Sequence, residues 1–179
     1  YQYDDTEAFP EITVTHSNNP SPGFLLLSNL VYNVQIPNTP YLIILKNDGT
    51  PVFSRQMGGQ IFNFDRQPNG NFTYFSRTRN KYYELDTNYV LKDSFYTGNG
   101  YTTDLHELRV LPNRHALLMS YDRQYVNMSQ YISGGNPNAL VTGLIIQEID
   151  ENKNVVFQWR SWDHFEILDA THENLLSSE

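Results

Sequence analysis

Asp104–Asp122 reads DLHELRVLPNRHALLMSYD, and its reading decides the fold. Two short apolar-rich runs, Leu105–Leu111 and Ala116–Ser120, flank a turn at Pro112-Asn113-Arg114-His115. Runs of this length around a Pro/Asn turn read as the arms of a β-hairpin. Alternation along the first arm sends Leu108 and Val110 to the same face as His106. A histidine on an otherwise apolar strand face either satisfies a hydrogen bond in a core or points into a site.

The second arm belongs to a repeat. PSPGFLLLS starts at Pro20, PNGNFTYFS at Pro68 and PNRHALLMS at Pro112; the three align without gaps over nine residues, at spacings of 48 and 44. Another element recurs beside it, an apolar strand, an Asp/Asn turn and a β-branched return: LIILKNDGTPVF, YYELDTNYVL and IIQEIDENKNVVF. Each unit therefore offers one hairpin turning at Pro/Asn and one turning at Asp/Asn. Four short strands at a period of about 45 residues are the signature of a propeller blade. A β-sandwich with coincidental turns is the other reading, and the ungapped triple match favours the propeller. The expected fold class is all-β, a β-propeller of four-stranded antiparallel blades.

A closed propeller needs roughly four to eight blades, and about three are visible. The expectation is a partial ring, about three blades of six, with the remaining blades lying outside this chain. Residues 1–15 read as an N-terminal tail or the end of an upstream segment, and residues 16–179 as the partial propeller. Strands are expected at Ile12–Thr15, Phe24–Ser28, Tyr41–Leu45, Pro51–Arg55, Ile61–Arg66, Phe72–Ser76, Lys81–Leu85, Val90–Phe95, Leu144–Ile149 and Asn154–Trp159. Val126–Thr142 reads as a polar excursion from its blade, able to cover a channel mouth or contact a partner, and Trp162–Leu176 as a loop followed by a short helix.

Composition narrows the function classes. Of 179 residues, 39% are hydrophobic, enough for a core, and the thirteen Tyr and ten Phe favour strands over helices. A net charge of −8 without a Lys/Arg run argues against nucleic acid, whose phosphates need basic contacts, and against anionic lipid. With no cysteine, there is neither a disulfide framework nor a thiolate metal site. No apolar run approaches the roughly 18 residues of a membrane span. The acidic opening, Tyr1–Glu11, looks like that of a mature or trimmed product.

The candidate site residue is His106. The repeat overlay sets it opposite Phe62, so that a position filled by an apolar side chain in one blade is polar in the next. His115 reads as a solvated turn residue, and His16 as a loop residue. The aromatics around His164 suggest packing at a blade edge, and His172 has no clear context. Arg109 falls on the face opposite His106 and is not assigned to the site. No spacing suggests a metal, and no Gly-rich loop suggests a nucleotide.

TDLHELRVLPNRHALLMSYD, followed by LIIQEIDENKNVVFQWRSWDHFEI, resembles the arylsulfotransferases (aryl-sulfate sulfotransferases), most of all members from Bacteroidota. The resemblance rests on His106, the Leu111–His115 turn, the Glu148–Asp150 strand end and Val155–Trp159, and it extends over about Gly23 to Leu168. It implies a six-bladed propeller, periplasmic, cell-surface or secreted, that transfers a sulfuryl group from a phenolic sulfate to another phenol. The exchange is ping-pong through a sulfated histidine, with no cofactor and no metal. The resemblance also implies that His106 is a channel histidine that helps hold the sulfate and that the nucleophile follows Glu179, so that this chain alone is inactive. The turn departs from the family in reading PNRH where PNGN is usual. The competing class is a non-catalytic propeller serving as a binding platform on an exported protein.

Overall fold

The computed structural model describes residues 9–29 and 39–175. It is all-β and divides into two units, residues 1–95 and 96–179. The first unit holds a three-stranded sheet, β1 (Phe24–Ser28), β2 (Tyr41–Lys46) and β3 (Pro51–Gln56). It also holds a four-stranded sheet, β4 (Ile61–Arg66), β5 (Phe72–Ser76), β6 (Lys81–Leu85) and β7 (Leu91–Phe95). The second unit contains β8 (Thr103–Val110), β9 (Ala116–Val126), β10 (Ala139–Ile149) and β11 (Val155–Arg160). Among the described residues, the three sheets are antiparallel meanders in which strands adjacent in sequence pair within each sheet, and no strand crosses between sheets.

The Asp/Asn turns explain why these sequences return on themselves. In each, the turn's first residue (Lys46, Asp86 or Asp150) is bonded to a residue four later (Thr50, Val90 or Asn154), whose carbonyl accepts its N–H at 2.8–2.9 Å. The residue just before the returning one takes a positive φ, at Gly49, Tyr89 and Lys153. Just inside each turn, one residue of the returning strand bulges out of register, because Leu45, Leu85 and Ile149 pair with Pro51, Leu91 and Val155. A three-residue hairpin with such a bulge twists in the sense that strands prefer.

The Pro/Asn turns agree equally well between the second and third sheets. Gln67 N–H donates to Asn71 O, and Leu111 N–H to His115 O, both at 2.8 Å. Gly70 and Arg114 both adopt positive φ, 85° and 67°. Arg114 thus takes the backbone state for which the glycine of PNGN is suited. The Pro20 segment differs. Leu25 pairs with Leu45 as Phe72 pairs with Leu85, so Leu25, not Phe24, occupies the place of Phe72. The nine-residue overlay slips by one residue there, which exchanges the two faces of the strand.

In the first unit, Leu42 and Ile44 of β2 pack with Ile61, Phe64, Tyr74 and Leu85 of the second sheet. Each large apolar side chain so buried contributes about 1.5–3 kcal/mol. Phe53 stacks on Tyr89 with ring centroids 3.8 Å apart, and Arg55 donates to the Tyr89 carbonyl at 2.7 Å. The other face of β2, Tyr41, Ile43 and Leu45, is covered by Phe9 and Ile12. The expected strand Ile12–Thr15 does not form. Ile12 lends a side chain to the core without pairing its backbone, so part of the expected tail packs with the first sheet.

In the third sheet, Ala116, Leu118, Ser120, Ile145, Gln147 and Ile149 are buried, while Leu117, Met119, Ile146 and Glu148 alternate with them and are half-buried. The Gln147 side chain is fully buried and acts as a surrogate peptide. Its carbonyl accepts Gly98 N–H at 2.8 Å, and its amide donates to Gln158 at 2.8 Å. Strands β9 and β10 pair as far as Val126 and Ala139, so the excursion expected at Val126–Thr142 is confined to residues 127–138. A short turn, Met128–Gln130, occupies its tip. After β11 come two 3₁₀ turns, Ser161–Asp163 and Ile167–Asp169, and the short helix α1, His172–Leu175. This agrees with the expected loop and helix as far as residue 175; Leu176 lies outside the described residues. Among the described residues, no helix is long and apolar enough to cross a membrane.

Candidate functional site

The site begins with an irregularity in β8. Thr103 pairs with Ser120 and Leu108 with Leu118, so residues 104–107 stand opposite the single residue Met119. The same place in β4 holds a smaller bulge, in which Asn63 and Phe64 stand opposite Tyr74. Relative to β4, two residues are inserted. His106 falls in this insertion and is not the structural counterpart of Phe62, which pairs regularly with Phe75. The bulge also breaks the alternation. Leu108 and Val110 are buried, whereas His106 is exposed and does not share their apolar face.

Asp104 shapes the bulge. Its Oδ1 accepts the backbone N–H of His106 at 2.9 Å and lies 2.7 Å from the ring Nδ1. A carboxylate can only accept, so Nδ1 carries the proton and the ring is held with its Nε2 edge away from Asp104. The Asp104 side chain is 9% exposed and the His106 side chain 65% exposed. A nearly buried carboxylate thus sits beneath an exposed imidazole. The preceding loop is pinned, with Thr97 N–H donating to Thr103 Oγ1 at 2.9 Å and Gly98 held by Gln147.

The other histidines go elsewhere. His115 Nδ1 lies 2.6 Å from Glu148 Oε1, and both side chains are about three-quarters buried. It is a framework residue and not the solvated one expected from the turn. Its counterpart Asn71 donates to Glu84 at 3.0 Å, and Glu84 stands where Glu148 does. His164 stacks on Trp159 with centroids 5.3 Å apart and planes 3° from parallel. His16 is exposed in its loop, and the His172 side chain lies outside the described residues. Arg109 contacts Glu107 at 3.6 Å, with both side chains half-exposed. Among the described residues, no group of three or more His, Cys, Asp or Glu side chains is arranged to hold a metal.

A second constellation surrounds Asp122. Its carboxylate accepts from Arg160 Nη2 at 2.9 Å and from Gln124 at 3.0 Å, and its carbonyl accepts the Trp162 indole N–H at 3.0 Å. The bond to Asp122 holds the Arg160 guanidinium above its ordinary pKa, against the opposing effect of desolvation. The Trp162 ring lies over Gly143, where a Cβ would come within 2.1 Å of the indole nitrogen. Glycine there is a condition of the indole's position.

Sequence reasoning missed Asp104 and Asp122. The signal for Asp104 was its place two residues before His106, the spacing at which an aspartate folds back on the chain. No protein-family model matches the chain, and no curated protein matches it.

Proposed function

We propose that this chain is part of an aryl-sulfate sulfotransferase, an exported β-propeller in which His106 contributes to the sulfate site. One observation carries the reading: the segment that resembles the family is the one where a bulge exposes an imidazole oriented by a nearly buried carboxylate. The repeated four-stranded meander with matched turns supports the propeller reading, in which the first strand of each blade would line the channel; β8 is the first strand of its sheet.

In the reaction, the S–O bond of an aryl sulfate breaks as an S–N bond forms to the nucleophilic histidine, which the resemblance puts after residue 179. A second imidazole of the full-length protein gives its proton to the departing phenolate, and a second phenol returns a proton to that imidazole as it takes the sulfuryl group from the nucleophilic nitrogen. Protonated on both nitrogens, His106 donates Nδ1–H to Asp104 and Nε2–H to a sulfuryl oxygen. Asp104 offsets the ring's charge and fixes its direction. No cofactor takes part in this scheme.

The test is transfer from an aryl sulfate to a phenol by the full-length protein. His106→Ala is expected to lower transfer by ~10²–10³, the scale for losing a positioned donor. Its thermal unfolding should stay near that of the parent, because the side chain is exposed. Full activity in the variant, or a loss explained by unfolding, removes the assignment. A parent protein without transfer activity favours the second reading, a non-catalytic binding platform, to which the exposed Tyr125, Phe157 and Phe165 lend support.

A further inference from the structure

The overhanging end of β10, the tip residue Met128 and the segment after β11 line an open cavity of about 490 Å³. This lies in the range of small-molecule sites. One wall is residues 139–143 of β10, and the tip contributes Met128, which is 7% exposed. The opposite wall is Trp162, Phe165 and Ile167. The walls are built rather than fortuitous. The Trp162 indole is fixed by Asp122 and by the absence of a side chain at Gly143. The Ser161 hydroxyl accepts Leu144 N–H at 2.8 Å, tying the segment back to β10.

The charges of the lining are of one sign. Glu166 and Asp169 both line the cavity, and among the described residues no Lys, Arg or His side chain does. The two carboxylates are held by a reciprocal capping box, each accepting the other residue's backbone N–H, with Asp169 Oδ2 at 2.9 Å from Glu166 N. One backbone bond leaves each carboxylate most of its acceptor capacity. The nearest strong cation along the chain, Arg160, is turned to Asp122 and Asp163. A concave wall of indole and phenyl rings beside two carboxylates attracts positive charge through the ring faces and through the field that the cavity focuses.

We propose that this cavity binds a small organic cation with a flat apolar body, such as an aryl or benzyl ammonium. The body packs against Trp162, Phe165 and Ile167, and the ammonium lies toward Glu166 and Asp169. The site does not depend on sulfuryl transfer and stands or falls separately.

Titration calorimetry on the full-length protein would compare three probes of similar size: benzyltrimethylammonium, neutral benzyl alcohol and anionic benzenesulfonate. Saturable binding is expected for the cation and is expected to be weaker by about tenfold or more for the other two. The double variant Glu166→Gln/Asp169→Asn keeps the capping acceptors and is expected to lose that preference while unfolding at a similar temperature. Gly143→Ser, which displaces the indole, is expected to weaken the cation and the alcohol together. Charge-blind binding, no saturable binding of the cation, or a preference unchanged in the double variant would each overturn the proposal.

Discussion

The second and third sheets share both kinds of turn and the contact from the Pro/Asn turn to a glutamate. They differ in two insertions. In the second, β4 carries a two-residue bulge, where the side chain of Asn63 donates to the Tyr82 hydroxyl at 3.1 Å and so stays within the sheet. In the third, β8 has a four-residue bulge that turns His106 outward, and β9 and β10 run on beyond the length of β5 and β6. The framework bonds are common to both sheets, and His106 and one wall of the cavity lie in what was added to one. An insertion can acquire chemistry because the hydrogen bonds around it already satisfy the backbone.

The correspondence breaks first, if at all, in the core. Phe64 and Leu108 each lie three residues before the first residue of their Pro/Asn turn, Gln67 or Leu111, and are 7% and 2% exposed. Phe64→Ala and Leu108→Ala are each expected to cost ~2–5 kcal/mol in urea unfolding. A cost below ~1 kcal/mol for either would mean that the bulged strand is not anchored there.

A smaller effect sharpens the difference between the turns. Glu84 is 2% exposed and accepts from both Asn69 and Asn71, at 2.8 and 3.0 Å. Glu148 and His115 retain contact with water. Asn71→Ala is expected to cost ~1–3 kcal/mol, since it strips a partner from a buried carboxylate. His115→Ala is expected to cost ~1 kcal/mol or less, because the Glu148 carboxylate, about a quarter exposed, can take a water in place of the imidazole. Equal costs would show that burial does not separate the two versions.

The smallest effect concerns acid. The side-chain amide of Asn154, then its backbone N–H, holds the Asp150 carboxyl below its ordinary pKa, with a further contribution from Asn152 N–H. Its stabilisation is therefore complete above the unfolded aspartate value of ~3.9 and is lost as pH falls through the lower folded value. Asp150→Asn retains an acceptor without the titration. Its acid unfolding limb should be shallower below about pH 4, with little change at neutral pH. Thermal unfolding curves that coincide with the parent's at every acid pH would remove the claim.

Most strands were legible because turn residues bracket them. Phe24–Ser28, Ile61–Arg66, Phe72–Ser76 and Lys81–Leu85 form with the bounds read from sequence, each set off by Pro/Asn, Asp/Asn or Gly residues. The alternation of Ile12–Thr15 was equally suggestive, yet no strand forms there; the side chains of Ile12 and Val14 lie against Gly49 while the backbone stays out of the sheet. The extensions of β9 and β10 were hidden because DRQYV and ALVT lack the apolar alternation that marks a half-buried strand. The site was half legible. His106 stood out by its residue type, but its direction depends on two inserted residues whose effect emerges only from the pairing of Thr103 and Leu108. Residue spacing alone carries no record of which residues leave the ladder.

The buried carboxamide of Gln147 also has a consequence for the order of folding. It closes a loop of 49 residues by holding Gly98, just ahead of β8. Closing a loop of that length costs entropy before any contact repays it, so such links form late. The β8–β9 hairpin can assemble locally around its Pro/Asn turn while the chain leading into it is still loose. Local bonds from Thr97 to Thr103 and Tyr101 hold part of that entrance, and Gly98 joins it when β10 delivers its glutamine, so the framing of the bulge presenting His106 is completed late in folding.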